Sequence, residues 1–279
     1  MQMNKETHII HVPVGGLANR MKAIGAAVAL SNDVQATTTI IWYKDKGLNC
    51  PFDELFEPIE NKLVTLRENS IFDLFLYDRP RKKNFCIPRF FQKFLFDQAM
   101  YEQDVCTRSH EGFDFLSWCL GKKSYIAGYV YFYPKENNKF SIFHPKAELM
   151  ERIRETVKLF GKQTIGVHIR RTDNIESIQK SPTHLFIERM KAEVEKNPDT
   201  KFYLATDSDE EKNTMKEIFK ERIITSPKQA DRNSPQGIKD ALVEMYVLSM
   251  TSKIFGSVKS SFSQTAAEIG GITCEFIKQ

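Results

Sequence analysis

The sequence predicts an α/β protein of two domains, each built on a parallel β-sheet. In the C-terminal half, short apolar segments alternate with segments of helical periodicity. The N-terminus opens with a strand, His8–Val14, a Gly15-Gly16 break and a helix, which indicates a second α/β unit. The 279 residues suffice for two ordinary domains, which we place at 1–144 and 145–279. Two such domains facing each other would leave a cleft at the carboxyl ends of both sheets, where ligands of open α/β folds bind.

The N-terminal domain has few clear elements. Apolar residues at helical spacing predict a helix that begins at Leu17, and two runs rich in β-branched or aromatic residues predict strands at Thr37–Tyr43 and Ser124–Tyr133. The segment from Pro51 to Leu120 has poor periodicity, so we expect short helices and loops there. Its basic run Arg79–Lys83 is typical of a solvated loop, with contact to an anionic partner as the alternative.

The C-terminal domain alternates regularly between strands and helices. The predicted strands are Gln163–Ile169, Lys201–Ala205, Arg222–Thr225, Lys253–Gly256 and Thr273–Ile277. The predicted helices are one from Pro145 to about Phe160 and those at Pro182–Lys196, Asp209–Lys220, Ile238–Thr251 and Phe262–Gly270. This alternation requires right-handed crossovers and a parallel sheet that helices cover on both faces.

Composition excludes several classes of protein. A formal charge of +4 is a mild surplus that suits an anionic small ligand better than a nucleic acid. No apolar run approaches the roughly 18 residues of a membrane span, and the N-terminus lacks a secretory leader, so we expect a cytoplasmic protein. The five cysteines are scattered and form no CxxC pair, which predicts neither a disulfide framework nor a zinc site.

The segment TIGVHIRRTDN, 164–174, carries the strongest chemical signal. With the two-residue period of a strand, His168 and Arg170 share one face and Arg171 points to the other. Adjacent arginines at the end of an apolar strand predict an anionic ligand, because a guanidinium fork matches phosphate and can stabilise a departing diphosphate. We assign that role to Arg170, and we expect Arg171 and Asp173 to form a structural ion pair.

Serine hydroxyls follow the predicted strand at Lys253–Gly256. Ser260, Ser261 and Ser263 lie where the next helix begins, and hydroxyls together with free N–H groups at a helix N-terminus form a phosphate site. N-capping by one serine explains part of the cluster equally well.

The glycine turn at Gly15-Gly16 allows backbone to approach a ligand closely. It matches neither GxGxxG nor a P-loop. Asn19 and Arg20 would lie on the first helical turn facing the expected cleft, and an exposed polar pair beside a tight turn is the alternative.

The strand at Lys201–Ala205 leads into Thr206-Asp207-Ser208-Asp209. Capping of the next helix by Asp207 or Ser208 is the favoured interpretation, and a supporting role for Asp207 in a site is the alternative. We also assign the Asp-x-Asp pattern to capping, so the sequence predicts no metal site.

The order of these motifs resembles that of the inverting fucosyltransferase superfamily. GGxxNR, HIRRTD, YLATD, then LS followed by SSFSQTAAE occur in the family's order. The superfamily includes the α1,6-fucosyltransferases with the nodulation enzyme, the bacterial α1,2-fucosyltransferases and the protein O-fucosyltransferases. IGVHIRRTD and FYLATD are most similar to the α1,6 branch, whereas the glycine motif and GYVYFYPK are more similar to the α1,2 branch. The resemblance does not extend over about 48–120.

The resemblance implies a GT-B architecture of two Rossmann-like domains, GDP-fucose as donor, no cofactor, and inversion at the anomeric carbon without a metal. It places Arg170 on the diphosphate, His168 beside the nucleotide, Ser263 and Gln264 on phosphate, and Glu244 on guanine. We add Asp207, Ser261 and the Gly15-Gly16 turn to the donor site, and Asn19 to the catalytic residues. The N-terminal domain would supply most contacts to a carbohydrate acceptor.

Two departures concern the catalytic base. Asn174 stands where the α1,6 branch has lysine, and Ile178 stands where it has glutamate. The nearest carboxylate is Glu176, which we take as the candidate base. Three rival functions stay open: transfer from another nucleotide sugar, non-catalytic nucleotide or glycan binding, and, more distantly, nucleic-acid binding through the basic run. The acceptor, the linkage and the oligomeric state do not follow from the sequence.

Overall fold

The structure, a computed structural model, describes residues 6–45, 47–77, 87–133, 139–172, 174–226 and 234–279. The chain divides into two compact units, Met1–His144 and Pro145–Gln279. In each unit the described residues form a five-stranded sheet whose paired strands run parallel. The predicted α/β class is therefore confirmed. Within the described ranges, no helix is long and apolar enough to cross a membrane.

The sheet of the N-terminal unit has the strand order β3-β2-β1-β5-β4. Its strands are β1 (His8–Pro13), β2 (Thr37–Trp42), β3 (Val64–Glu68), β4 (Gln98–Met100) and β5 (Lys123–Gly128). Its helices are α1 (Leu17–Val34), α2 (Ile87–Leu95), α3 (Glu102–His110) and α4 (Phe115–Cys119), with a 3₁₀ turn at Ile71–Asp73.

Three details of this unit differ from the sequence-based expectation. The edge strands β3 and β4 lie in the segment for which only helices and loops were expected. β4 has three residues, and in β3 only Val64 is buried while the following positions alternate between exposed and partly buried, so neither presents a long apolar run. The strand predicted to reach Tyr133 ends at Gly128.

The sheet of the C-terminal unit has the order β10-β9-β6-β7-β8. Its strands are β6 (Thr164–Ile169), β7 (Lys201–Thr206), β8 (Ile223–Thr225), β9 (Ile254–Ser257) and β10 (Cys274–Ile277). Its helices are α5 (Ala147–Val157), α6 (Ile175–Lys180), α7 (Thr183–Lys196), α8 (Asp209–Phe219), α9 (Pro235–Ser249) and α10 (Ser261–Gly270). Every predicted element is present, and the described residues of this unit also form α6 and a 3₁₀ turn at Lys220–Arg222, neither of which was predicted.

The central strand β6 separates two different environments. Its odd-numbered residues Ile165, Val167 and Ile169 are buried in an apolar core with side chains of α7 and α8. Its even-numbered face lies against α9, because a Cβ added at Gly166 would stand 2.9 Å from Leu248 Cδ2. The same alternation continues in the residues after β6, so Arg170 and Arg171 point to opposite faces of the sheet and reach different partners.

Candidate functional site

Arg170 and Asp207 lie side by side where β6 and β7 end. The parallel register pairs His168 with Ala205, and two residues further on along each strand come Arg170 and Asp207. Both side chains are largely buried, and Arg170 Nε lies 3.7 Å from Asp207 Oδ2. Arg170 therefore stands on the α9 face of the sheet with a carboxylate beside it.

The Arg171 side chain lies on the opposite face of the sheet. Its Nε donates to Glu211 Oε1 at 2.6 Å, and its second terminal nitrogen donates to Ser181 O and to Thr183 Oγ1, both at 3.0 Å. These contacts join β6 to α7 and α8, as expected of a structural side chain. The predicted partner Asp173 lies outside the described residues, and Glu211 is the carboxylate that Arg171 contacts here.

Asp207 and Ser208, the two residues considered as the cap of α8, have different contacts. Ser208 Oγ accepts the Glu211 N–H at 3.3 Å and caps α8. Asp207 instead accepts the Arg171 N–H and the Thr172 hydroxyl, each at 2.7 Å. Asp207 thus fixes the turn after β6, and its supporting role in a ligand site stays a prediction.

His168 is a neutral imidazole that holds the start of α10 against the sheet. Burial, with the nearby charge of Arg170, lowers the pKa of His168 to about 3. Its ring stacks on Phe262 with centroids 4.8 Å apart, and its Nδ1 lies 3.4 Å from Ser260 Oγ. His168 positions the helix without adding charge to the site.

Ser257, which sequence analysis did not single out, connects the end of β9 to the arginine. Its hydroxyl accepts the Arg170 N–H at 3.1 Å and donates to His168 O at 3.4 Å. The only sequence signal for this residue was its place beside the serine cluster at a strand end. Its contacts bring the start of α10 and the backbone of Arg170 to the same edge of the sheet.

The serines of α10 differ in what they can offer a ligand. Ser263 is fully buried and donates to Ser260 O at 3.4 Å. A Cβ added at Gly256 would stand 2.6 Å from Ser263 Oγ, so the helix start lies directly on β9. Ser261 is partly exposed and Gln264 is exposed. Since the first N–H groups of a helix have no intrahelical acceptor, a phosphate would be met mainly by backbone donors here.

Glu244 lies on α9, the helix that covers the same face as Arg170. Burial raises its pKa from the ordinary 4.5 to about 8, and the carboxylates of Asp240 and Asp207 add to the rise. The charges of Lys212 and Arg152 act in the opposite direction. Glu244 is therefore a carboxyl group that is mostly protonated at neutral pH and can be ionised by a ligand that donates hydrogen bonds to it.

Glu176 on α6 is held by two lysines. Lys180 Nζ lies 2.6 Å and Lys259 Nζ 2.9 Å from its carboxylate oxygens. These contacts lower its pKa, which makes it a weaker base than an ordinary glutamate. Asn174 caps this helix by accepting the Ser177 N–H at 3.1 Å.

The glycine turn of the N-terminal unit follows β1. Gly15 has φ of +88°, a conformation that favours glycine. A Cβ there would also stand 3.2 Å from Asn19 Nδ2. Gly16 is exposed and begins α1 as its N-cap, and Asn19 is partly exposed on the first turn.

Arg20 is not the exposed residue considered from the sequence, since its side chain is 0% exposed. Its Nε donates to Gly15 O at 2.9 Å, its guanidinium lies 4.7 Å above the Trp42 ring, and it forms a 3.2 Å ion pair with Asp45. Arg20 therefore fixes the glycine turn to the end of β2. Asp45 had no sequence signal beyond its place after a predicted strand.

An open cavity of 520 Å³ lies beside Arg171 in the C-terminal unit. Its lining includes three carboxylates, Asp207, Glu210 and Glu211, against one arginine. A diphosphate would be repelled by this surplus of negative charge. Arg170 and the start of α10 are the better place for an anionic ligand.

Comparison with solved structures identifies proteins of the same fold. The α1,6-fucosyltransferase NodZ, in a crystal soaked with GDP-fucose, matches with a TM-score of 0.64 and 16% identity over 95% of this chain and 93% of its own. FUT1 of Arabidopsis thaliana, in complex with GDP, matches with a TM-score of 0.62 and 14% identity over 98% and 71%. POFUT1 in complex with GDP matches with a TM-score of 0.57 and 12% identity over 99% of both chains.

The chain has the fold of these fucosyltransferases. The GT-B-like class that the motifs implied is confirmed by these matches and by the two parallel-sheet units. No protein-family model and no curated protein matches the sequence.

Proposed function

We propose that this protein is an inverting glycosyltransferase that moves fucose from GDP-fucose to a carbohydrate acceptor. One observation carries the proposal: Arg170 and the N-terminus of α10 lie at the same edge of the sheet, because the Ser257 hydroxyl accepts the Arg170 N–H and the Ser257 carbonyl accepts the N–H of Ser260, the N-cap of α10. A guanidinium and a helix N-terminus together favour a diphosphate. The fold supports the choice of donor, because solved structures of this fold contain GDP or GDP-fucose.

The reaction needs a stabilised leaving group. The bond between the fucose anomeric carbon and the β-phosphate oxygen breaks, and the electron pair stays on GDP. The acceptor hydroxyl oxygen bonds to that carbon from the opposite side and loses its proton to a carboxylate or to water. Arg170 and the first N–H groups of α10 would stabilise the growing negative charge, with Asp207 holding the guanidinium in place.

Base recognition is assigned to Glu244. A carboxylate can accept hydrogen bonds from the N1–H and N2–H groups of guanine, which uracil and cytosine cannot offer in that pattern. The raised pKa of Glu244 supports this assignment, since a group tuned away from its ordinary value is typical of a ligand site.

The remaining roles extend the same proposal. His168, Ser261, Ser263 and Gln264 would surround the diphosphate, with Gly15 and Gly16 adding donor contacts. Asn19 is assigned to catalysis and Glu176 to proton removal, although its two lysines weaken it as a base. Residues 1–144 would contribute most acceptor contacts.

The proposal includes independence from a metal. Among the described residues, no group of three or more His, Cys, Asp or Glu side chains is arranged to hold one. Both aspartates of the Asp-x-Asp pattern are engaged: Asp207 accepts two hydrogen bonds, and Asp209 lies 3.6 Å from Lys212. Full activity in EDTA is expected. Loss of activity in EDTA that manganese restores would contradict this part.

A thermal-shift panel tests the nucleotide, and a transfer assay tests the reaction. GDP and GDP-fucose should raise Tm more than UDP, ADP, CDP and their sugars, since a ligand at 100 times its Kd adds about 2.7 kcal/mol. GDP-fucose should then be consumed faster with a glycan acceptor present. A shift with another nucleotide would indicate a different donor, and binding of GDP-fucose without fucose release would indicate a binding module.

A further inference from the structure

Lys259 lies on the turn that leads into α10. The turn runs from Ser257 to Ser260 and is closed by a hydrogen bond from the Ser260 N–H to Ser257 O at 3.3 Å. Ser257 supports the backbone of Arg170, and Ser260 is the N-cap of α10. Lys259 therefore stands between the two parts of the proposed diphosphate site. Its side chain is 65% exposed, so the ammonium group is accessible to a ligand.

Two fully buried serines, one in α6 and one directly after it, hold this turn in place. Ser177 Oγ donates to Val258 O at 2.6 Å, and the Val258 N–H donates to Ser181 Oγ at 2.9 Å. Asn174 Nδ2 adds a contact to Lys259 O at 3.4 Å. These bonds fix the backbone of the turn on both sides of Lys259. A change of partner there requires movement of the exposed side chain alone.

The Lys259 side chain is paired with a carboxylate that it shares with a second lysine. Lys259 Nζ lies 2.9 Å from Glu176 Oε2, and Lys180 Nζ lies 2.6 Å from Glu176 Oε1. Both lysines are exposed, and Glu176 is partly exposed. Ion pairs of this kind contribute little to stability, because water screens them. The contact between Lys259 and Glu176 can therefore be exchanged for another at little cost.

A diphosphate at the start of α10 would offer Lys259 a better partner than this carboxylate. It carries more negative charge and more acceptor oxygens than a carboxylate does. The helix begins two residues after Lys259. Consecutive Cα atoms are about 3.8 Å apart, so the Lys259 Cα lies at most about 7.6 Å from the first helical residue. The flexible four-carbon stem of a lysine can bring its ammonium group across such a distance.

We propose that Lys259 leaves Glu176 when the donor binds and pairs with the diphosphate of the donor instead. This inference rests on the proposed function, since it requires a nucleoside diphosphate at Arg170 and the start of α10. Glu176 would then keep one lysine contact instead of two. Because the contacts with Lys180 and Lys259 lower the pKa of Glu176, the exchange would make this carboxylate a stronger base. Donor binding would thereby prepare Glu176 to accept the proton of the acceptor hydroxyl.

Calorimetry of GDP binding tests the exchange. Lys259→Gln should weaken GDP binding about tenfold, because a charge-assisted contact with phosphate is lost. Glu176→Gln should strengthen GDP binding about threefold, because Lys259 then has no competing carboxylate partner in the free protein. The gain from Glu176→Gln should disappear when Lys259→Gln is also present.

Lys180→Gln is the matched control. It removes the same charge from the same carboxylate, but Lys180 is the last residue of α6 and does not belong to the Ser257–Ser260 turn. GDP affinity should stay within about twofold of the wild type. All three replaced side chains are at least partly exposed, so Tm and circular dichroism should match the wild type.

Three results would overturn this inference alone while wild-type GDP binding supports the proposed function. They are unchanged GDP affinity in Lys259→Gln, an equal loss in Lys180→Gln, and unchanged or weaker binding in Glu176→Gln. A gain from Glu176→Gln that persists beside Lys259→Gln would also overturn it, since that gain would come from local charge in general. Absence of GDP binding to the wild type would contradict the proposed function and this inference together.

Discussion

GDP should bind more tightly as pH rises towards 8, because the proposed guanine ligand Glu244 must first lose its proton. Its pKa is raised from 4.5 to about 8 in the free protein, chiefly by burial. Guanine donates two hydrogen bonds only to the ionised carboxylate, so binding is coupled to proton release. The sign follows directly: affinity is weakest in acid, increases with pH, and levels off above the free-protein pKa.

The size of the effect follows from the ionised fraction. With a pKa of about 8, about one molecule in 100 is ionised at about pH 6 and about half at pH 8. If the complex keeps Glu244 ionised throughout, GDP affinity should increase about fiftyfold between these values, close to tenfold per pH unit at the acid end. Each such tenfold step corresponds to about 1.4 kcal/mol.

Isothermal titration calorimetry of GDP in buffers of different ionisation enthalpy measures both quantities. Nearly one proton should be released per GDP near about pH 6.5. The terminal phosphate of GDP titrates close to this range, so Glu244→Gln is the reference for the ligand's own contribution. This variant should lose the extra slope and weaken binding at about pH 8 by roughly 1.5–3 kcal/mol. If the GDP affinity of the wild type changes with pH in the same way as that of Glu244→Gln, the reasoning is refuted. Guanine recognition would then have to lie away from α9.

Three further predictions concern the arginines and a buried histidine. Arg170→Lys should lower kcat about a hundredfold or more with little change in KM, because lysine lacks the paired N–H donors of a guanidinium. Arg171→Ala should mainly lower stability, measured as Tm. An active Arg170→Lys beside a stable but inactive Arg171→Ala in steady-state kinetics would contradict the assignment. Arg20→Ala should cost about 3–5 kcal/mol in urea unfolding, because the buried Asp45 carboxylate would lose its guanidinium. Arg20→Lys should lose less, and a loss under about 1 kcal/mol in Arg20→Ala would contradict the role of the ion pair as an anchor. Burial lowers the pKa of His11 from 6.5 to about 3, so as pH falls the unfolded chain binds the proton first. The free energy of unfolding should therefore decrease below about pH 6.5 by up to about 1.4 kcal/mol per pH unit. His11→Leu should reduce this slope, and an unchanged slope would show that His11 is not its source.

The fold was predictable where local pattern and tertiary environment agree. β6 is apolar because helices cover both of its faces, and a strand of this kind can be predicted from its own sequence without knowledge of the strands that pair with it. β3 and β4 were missed because edge strands are short or half exposed, and their pairing partners are distant in sequence. α6, which Asn174 caps, has six residues and too few apolar positions to show a period.

In the candidate site, too, some features could be predicted from local sequence and others depend on contacts between distant segments. Strand alternation alone predicts that Arg170 and Arg171 point to opposite faces, and the structure places them so. The partner of Arg171 could not be read from the chain, because Glu211 lies 40 positions away and reaches it only when β6 and β7 pair.

By itself, the sequence determined the α/β class, the order of motifs that resembles the fucosyltransferases, and the arginine at a strand end. These depend on periodicity and on residue type, which are local properties. Only the tertiary structure decided that Arg20 is buried with Asp45, that Ser263 on α10 is buried against β9, and that the pKa of Glu244 is raised to about 8. Burial and the electrostatic field at a side chain come from segments distant in the chain, and no local pattern contains them.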